Sequence, residues 1–210
     1  MKNILFDLDG TLVDSSKGII ESFQYAFNSL SYPQPSIEII RTYIGPPLET
    51  TFQNYFTESK DLDDAILAFR DNYKKSGVHQ VSLYEGVKTS LRELSMKGYS
   101  LYVTTSKFQP MAYQMLENLQ IADYFDGIYG SINNRFHKVD VINACLEENQ
   151  LKKESTVIIG DTKFDMIGGN DANIHTIGVT WGFGSQTDLL NAGAEKICHH
   201  PKDIEKSLIY

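Results

Sequence analysis

The chain has 210 residues, with 19 basic and 27 acidic side chains and a formal net charge of −8 at pH 7. This length accommodates one sizeable core with a small second domain, and the acidic balance argues against a nucleic acid polymer as a partner. No stretch approaches the ~20 consecutive apolar residues of a membrane span and no secretory signal opens the sequence, so we expect a soluble, cytoplasmic protein with no membrane partner.

The first part of the chain predicts a buried strand and then a helical region. Apolar residues at 4–6 indicate the strand, which continues into two aspartates and breaks at Gly10. Apolar positions at helical spacing then predict a helix over 16–30 and another over about 62–77, and Ser36 is a candidate helix cap between them. We therefore interpret residues 15–83 as an inserted helical domain.

From about residue 86 onwards, helices and strands alternate. The predicted strands are 100–104, 128–130, 156–160, 174–179 and 195–198. The first predicted helix of this region begins at Val87. The others cover 109–119, 138–148, 164–171, 185–192 and 202–208. Such alternation is typical of a parallel sheet covered by helices on both faces, so the predicted fold is α/β, with a three-layer Rossmann-like core formed by residues 1–14 and 84–210.

Polar residues follow the predicted strands or begin the predicted helices in four places. They are Asp7 with Asp9, Thr104–Lys107, Lys138, and Asp161 with Asp165. Ligands bind at the carboxyl ends of strands in open α/β sheets. Four clustered carboxylates repel each other and also repel a phosphate. Mg²⁺ together with Lys138 would offset this negative charge. Each of these four groups of polar residues, taken alone, is also explained by a turn or a helix cap. The occurrence of all four in this order favours a catalytic site.

The segment Ile4–Ser15, the strand-end Thr-Ser, the single Lys and the Gly-Asp-x-x-x-Asp segment together resemble the haloacid-dehalogenase-like (HAD) phosphatases over nearly the whole chain. The helical insertion, with Arg41, Gly45 and the prolines that follow, resembles the small cap domain of the phosphoglycolate-phosphatase-like subgroup. The resemblance implies a phosphatase that hydrolyses a small phosphorylated metabolite and requires Mg²⁺. It also implies that the cap residues select the substrate.

By that resemblance, Asp7 is the nucleophile and Asp9 is the acid and base. Thr105 and Lys138 complete the catalytic set, and Thr105 is preferred over Thr104. The implied phosphate and substrate contacts are Gly10, Thr105, Ser106, Lys138, Arg41 and Gly45. The implied metal set is Asp7, Asp9, Asp161 and Asp165, in which Asp9 contributes its backbone carbonyl and Asp165 acts through Lys138 or a bound water.

Other interpretations remain open at this point. Within the family, a 5'-nucleotidase or a phosphosugar mutase resembling β-phosphoglucomutase shares the nucleophile, although Thr11 lies where such mutases tend to have an apolar residue. A phospho-receiver signalling domain also combines aspartates, a hydroxyl and a lysine, but in a different order. Arg41 is equally compatible with a surface ion pair. The segment Trp181–Gly184 follows a predicted strand and is compatible with a place at the border of the site, but a packed loop is the favoured interpretation. The protein is expected to be a monomer or a homodimer.

Overall fold

A computed structural model of the chain describes residues 1–209. The strands are β1 (Asn3–Phe6), β2 (Val13–Asp14), β3 (Ser82–Leu83), β4 (Ser100–Phe108), β5 (Gly127–Ser131), β6 (Thr156–Gly160), β7 (His175–Val179) and β8 (Lys196–Cys198). The helices are α1 (Ser16–Ser29), α2 (Ile37–Arg41), α3 (Leu48–Gln53), α4 (Ser59–Lys75), α5 (Val87–Met96), α6 (Gln109–Asn118), α7 (Lys138–Glu148), α8 (Lys163–Asp171), α9 (Gln186–Asn191) and α10 (Ile204–Ser207). Within residues 1–209, no helix has the length and apolar character that crossing a membrane requires.

The chain divides into two compact units. Unit 1 contains residues 1–14 together with the residues from 83 onwards, and unit 2 contains residues 15–82. Unit 1 is built on a six-stranded sheet in the order β5-β4-β1-β6-β7-β8, in which every neighbouring pair is parallel. The predicted α/β fold class is thereby confirmed.

Strand β1 lies at the point where the strand order reverses, because the chain adds β4 and β5 on one side of β1 and β6 to β8 on the other. Such a switch point leaves a crevice at the carboxyl ends of the central strands. Residues 4–6 of β1 and 157–159 of β6 are fully buried, as expected for central strands covered on both faces. The sheet therefore presents the ends of β1, β4 and β6 next to one another.

One face of this sheet packs on α7 and α8. Leu5 of β1 and Ile158 of β6 belong to a buried cluster with Ile142 and Cys145 of α7. Burying each large aliphatic side chain contributes roughly 1.5–3 kcal/mol. This packing holds the first turn of α7, where Lys138 lies, against the central strands.

Unit 2 contains helices α1 to α4 around an aromatic core. The ring of Phe23 lies 4.7 Å from that of Phe69 and 5.2 Å from that of Phe52, measured between centroids. The Ser36 side chain accepts a hydrogen bond from the Ile39 N–H at 3.4 Å, which confirms the predicted cap of α2. The residues between α4 and β3 include a short 3-10 turn, Gly77–His79, so unit 2 is not wholly α-helical.

The predicted strand over 100–104 is too short. Strand β4 continues to Phe108, with a register shift in which β4 advances from Thr104 to Phe108 while β5 advances only from Tyr129 to Ser131. The extra residues bulge out of the ladder. The polar residues Thr105–Lys107 therefore lie within an irregular part of β4, rather than after its end.

Candidate active site

Two aspartates follow β1 at its carboxyl end. The Asp7 N–H donates to the Ile159 carbonyl at 2.9 Å, which continues the pairing of β1 with β6 one residue beyond Phe6. The chain then turns, and the Gly10 N–H donates to the Val13 carbonyl at 2.8 Å. The sheet thus fixes the backbone of Asp7, and the turn fixes that of Asp9.

Two further aspartates follow β6, and both are buried. Asp165 is the third residue of α8, and its Oδ2 accepts hydrogen bonds from the Thr162 N–H at 3.0 Å and the Thr162 hydroxyl at 2.8 Å. This capping box satisfies donors at the start of the helix. One oxygen of Asp165 therefore belongs to the helix cap, and Oδ1 remains for other contacts.

Lys138, the first residue of α7, is buried with its ammonium among these carboxylates. Its Nζ lies 2.5 Å from Asp7 Oδ1 and 2.7 Å from Asp165 Oδ1, and it donates to the Thr104 carbonyl at 3.1 Å. An ammonium has three donors, and three acceptors surround this one. Burial disfavours the charged form, but Asp165 and Asp7 outweigh burial and raise the pKa of Lys138.

Asp7, Asp161 and Asp165 form a compact group of buried carboxylates. One oxygen from each lies within 4.8 Å of the others. Burial raises the pKa of Asp7 to about 7, against the lowering effect of Lys138. Burial, and then the charges of Asp165 and Asp7, raises the pKa of Asp161 well above its usual range. Without a further cation, Asp7 and Asp161 therefore hold protons more tightly than exposed aspartates do.

Asp9 faces a second lysine, Lys107, which lies in the predicted polar segment Thr104–Lys107 but received no role of its own there. Lys107 Nζ lies 2.9 Å from Asp9 Oδ2, and both side chains are largely buried. Lys107 directly follows the Thr-Ser pair, so its position in the motif was a signal that sequence reasoning could have used. The ion pair gives the Asp9 carboxylate a cationic partner other than Lys138.

The irregular part of β4 supplies buried hydroxyls. The Thr105 Oγ1 accepts a hydrogen bond from the Lys107 N–H at 3.1 Å, so its own hydroxyl proton remains available as a donor. Thr104 Oγ1 and Ser106 Oγ are buried and make no hydrogen bond within residues 1–209. Buried hydroxyls without partners are uncommon, and a bound ligand or ion would supply the missing partners of these two.

The loop Trp181–Gly184 borders the site, which was the less favoured of the two interpretations of this segment. The Phe183 N–H donates to Asp161 Oδ2 at 2.8 Å, and the indole N–H of Trp181 donates to the Thr11 carbonyl at 2.9 Å. A Cβ at Gly182 would lie 2.4 Å from Asp161 Oδ2, and one at Gly184 would lie 2.1 Å from the Asp161 carbonyl oxygen. The glycines allow this close approach, and their alternation with aromatic residues was the available sequence signal.

Gly10 completes this wall of the site. Its φ of +91° lies in the region that favours glycine, and a Cβ there would lie 2.2 Å from Asp161 Oδ2. The position therefore requires glycine both for its backbone conformation and for space. Because the backbone approaches a carboxylate this closely, Gly10 leaves no space for a side chain next to Asp161.

The charges of the site fit a divalent cation. The four carboxylates of Asp7, Asp9, Asp161 and Asp165 face the two ammonium groups of Lys107 and Lys138, which leaves two negative charges in this set. Carboxylate oxygens are the ligands that Mg²⁺ prefers. The donor set therefore fits Mg²⁺ in both charge and chemistry.

The structure brings together only part of the predicted set. Asp7, Asp161, Asp165 and Lys138 are in mutual contact or close proximity, while Asp9 pairs with Lys107. Arg41 and Gly45 belong to unit 2, where Arg41 is the exposed last residue of α2 and Gly45 has a φ of +113°.

The chain is similar to known proteins over most of its length. The sequence model of a family described as "Haloacid dehalogenase-like hydrolase" matches residues 4–179. A "5'-nucleotidase" from Pseudomonas aeruginosa is 34% identical over 190 residues, which cover 89% of this chain and 86% of that protein. "Tyrosine-protein kinase PtkA" from Mycobacterium tuberculosis is 32% identical over 205 residues, covering 97% and 70%. A "Phosphoglycolate phosphatase" from Vibrio parahaemolyticus is 32% identical over 195 residues, covering 87% and 85%.

Solved structures show the same relationship. A structure titled as a hydrolase, a haloacid dehalogenase-like family protein from Streptococcus pneumoniae, superposes with a TM-score of 0.92. It is 42% identical in sequence, and the match covers 100% of this chain and 99% of that one.

Proposed function

Because the chain belongs to the haloacid dehalogenase-like hydrolases and is a phosphatase of that family, we propose that it hydrolyses a small phosphate monoester in a Mg²⁺-dependent reaction through a phosphorylated Asp7. The family resemblance drawn from the motifs is confirmed by these matches. The observation that supports the proposed mechanism is the buried contact of Asp7 with Lys138, beside Asp161 and Asp165.

In the first half-reaction, a carboxylate oxygen of Asp7 attacks phosphorus while the bond between phosphorus and the ester oxygen breaks. Asp9 gives a proton to the leaving alcohol. Lys138 neutralises the attacking carboxylate and the oxygens of the transferring group, and the hydroxyl of Thr105 with the N–H of Ser106 holds the phosphoryl oxygens. The product is an aspartyl-phosphate and a free alcohol.

In the second half-reaction, Asp9 accepts a proton from a water molecule whose oxygen attacks phosphorus. The bond from phosphorus to Asp7 breaks, and inorganic phosphate and the Asp7 carboxylate are released. Asp7, Asp161 and the carbonyl of Asp9 would hold Mg²⁺, which would supply positive charge for the transferring phosphoryl group. Asp165 acts by orienting Lys138, because its Oδ1 faces the ammonium.

We propose that unit 2 is the cap domain and that Arg41 and Gly45 contribute to substrate selection. The relatives named 5'-nucleotidase and phosphoglycolate phosphatase suggest a nucleoside monophosphate and phosphoglycolate as the first substrates to test. Arg41→Ala is expected to lower kcat/KM for carboxylate-bearing esters more than for neutral ones. Arg92→Ala, an exposed arginine of α5 in unit 1, is the matched control.

The decisive test is phosphate release from a panel of monophosphates with Mg²⁺ and with EDTA, for the wild type and Asp7→Asn. We expect multiple turnovers only in the wild type with Mg²⁺. In the first turnover, acid quenching is expected to trap phosphate on the protein in a form cleaved by hydroxylamine, and Asp7→Asn is expected to trap none. Near-normal turnover by Asp7→Asn would refute the assignment.

The same panel separates the alternatives. A mutase would move phosphate between sugar positions without releasing it, and a receiver domain would retain its phosphoryl group without turnover. A tyrosine kinase activity would transfer phosphate from ATP to a tyrosine side chain and release no phosphate from simple esters. Each of these outcomes would replace the proposed hydrolysis.

A further inference from the structure

The Asp161 carboxylate is held at both oxygens by donors from two distant segments. Its Oδ2 accepts from the Phe183 N–H at 2.8 Å, and its Oδ1 accepts from the Thr11 hydroxyl at 3.2 Å. Asp161 itself is fully buried, so water does not compete for these oxygens. With both oxygens restrained, the carboxylate has one preferred orientation.

Trp181 joins the two donor segments to each other. Its indole N–H donates to the Thr11 carbonyl at 2.9 Å, across 170 positions of sequence. The same loop contains Phe183, so Trp181 connects the loop that restrains Oδ2 with the residue that restrains Oδ1. Trp181 therefore contacts one of the two residues that donate to Asp161 and lies two positions before the other.

The loop also has no room to move towards the site. A Cβ at Gly182 would lie 2.3 Å from the Gly10 carbonyl oxygen, and one at Gly184 would lie 2.1 Å from the Asp161 carbonyl oxygen. These approaches press the loop backbone directly against the segment that carries Asp161. Such contact is more than ordinary loop packing, because it places a backbone donor at hydrogen-bond distance from a candidate metal ligand.

From this arrangement we propose that Thr11 and Trp181 are positioning residues, which hold the Asp161 carboxylate in one orientation and thereby set the affinity of the site for its divalent cation. The inference rests on the proposed metal-dependent function. Groups that orient a metal ligand contribute about 10- to 100-fold to metal affinity. Neither residue contacts substrate in this role.

The test measures cation binding directly, by the paramagnetic resonance signal of free Mn²⁺ in titrations of the full-length protein without substrate. Thr11→Val removes the hydroxyl that donates to Asp161 but keeps the shape of the side chain, and Trp181→Phe removes the indole N–H but keeps an aromatic ring. We expect each to weaken Mn²⁺ binding by about 10-fold or more. Thr11→Ser, which keeps the hydroxyl, is expected to remain within about 3-fold of the wild type.

Thr180→Val is the matched control. Thr180 directly precedes the loop, and its hydroxyl bonds to His199 Nδ1 at 2.9 Å rather than to Asp161. We expect its Mn²⁺ affinity to equal that of the wild type. A variant whose thermal stability in EDTA falls while its Mn²⁺ affinity is unchanged would show that the residue is structural only, and would overturn the proposal for that residue.

Mn²⁺ affinity and phosphate release, measured together, separate the role of Thr11 and Trp181 from the proposed function. Unchanged Mn²⁺ affinity in both Thr11→Val and Trp181→Phe, in a wild type that hydrolyses phosphate esters, overturns the inference alone. Weakened Mn²⁺ binding in both variants, in a protein that hydrolyses no ester, supports the inference and overturns the proposed function. A wild-type protein that binds no Mn²⁺ overturns both.

Discussion

Replacing Lys138 by methionine removes an ammonium that lies 2.5 Å from Asp7 Oδ1 and 2.7 Å from Asp165 Oδ1. Both carboxylates are buried and would remain without this partner. Removing one member of a buried ion pair costs about 3–5 kcal/mol, because a charge stays behind in a medium that solvates it poorly. We therefore expect the free energy of unfolding to fall by about 3–5 kcal/mol at pH 8 in EDTA.

Urea unfolding followed by tryptophan fluorescence is the suitable assay. Trp181 is the single tryptophan of the sequence and belongs to unit 1, so its emission reports the unit that contains Lys138. Lys88→Met changes an exposed lysine of α5 and serves as the control. It is expected to change the free energy of unfolding by no more than about 0.5 kcal/mol.

The pH dependence and the reaction rate give two further checks on Lys138. At pH 5 the destabilisation should be smaller than at pH 8, because burial raises the pKa of Asp7 and this group can be protonated once the ammonium is gone. Turnover with Mg²⁺ should fall about 10²- to 10³-fold, as for loss of one electrostatic contact to the transition state. A loss of stability below about 1 kcal/mol at pH 8 would refute the buried ion pair as the reason for this lysine.

Three other perturbations test separate parts of the site. The pKa of Asp7 is raised to about 7 in the folded protein, from 3.8, so folding favours its protonated form. The metal-free protein should therefore lose stability as the pH rises from about 4 to about 7. In urea unfolding, Asp7→Asn should flatten this dependence of stability on pH. A slope of the opposite sign would contradict the assigned burial. Asp9→Asn should still be phosphorylated by p-nitrophenyl phosphate, because the leaving group of this ester needs no proton. The variant should then lose the phosphoryl group slowly, as measured by acid quenching. Fast loss of the phosphoryl group would exclude Asp9 as the base. Gly10→Ala should abolish Mn²⁺ binding, because the added Cβ would collide with Asp161. Gly98→Ala is the control: Gly98 has a φ of +81° and nothing within 4 Å of the added Cβ, so the change should cost only about 1–2 kcal/mol of stability. Equal metal affinity in the two variants would contradict the contact of Gly10 with Asp161.

The α/β fold was predictable because it rests on local patterns repeated along the chain. The strand at 156–160 and the helix at 138–148 were predicted with the bounds that the structure has, since a run of buried apolar residues and a helical spacing are both visible in a short window. Strand β4 was not, because its continuation to Phe108 depends on pairing with Ser131 of another strand. Local propensity contains no information on that partner.

The residues of the candidate site were likewise predictable only in part. The motifs identified Asp7, Asp161, Asp165 and Lys138 from their places at strand ends and helix starts, and the topology of a parallel sheet explains why these places meet at one edge. Their catalytic roles stay predictions. The ion pair of Lys107 with Asp9 was missed, because these two residues come together only when β1 and β4 pair in the sheet.

Hydrophobic periodicity and turn chemistry in the chain itself were enough to specify the order of the elements and the residue types at their ends, since both act between near neighbours. Which carboxylate receives which partner depends instead on the folded backbone. Trp181 and Thr11 meet across 170 positions, and Phe183 reaches Asp161 only because glycines on either side allow backbone contact. Contacts of this kind arise when distant segments pack together, so no pattern within a short window encodes them.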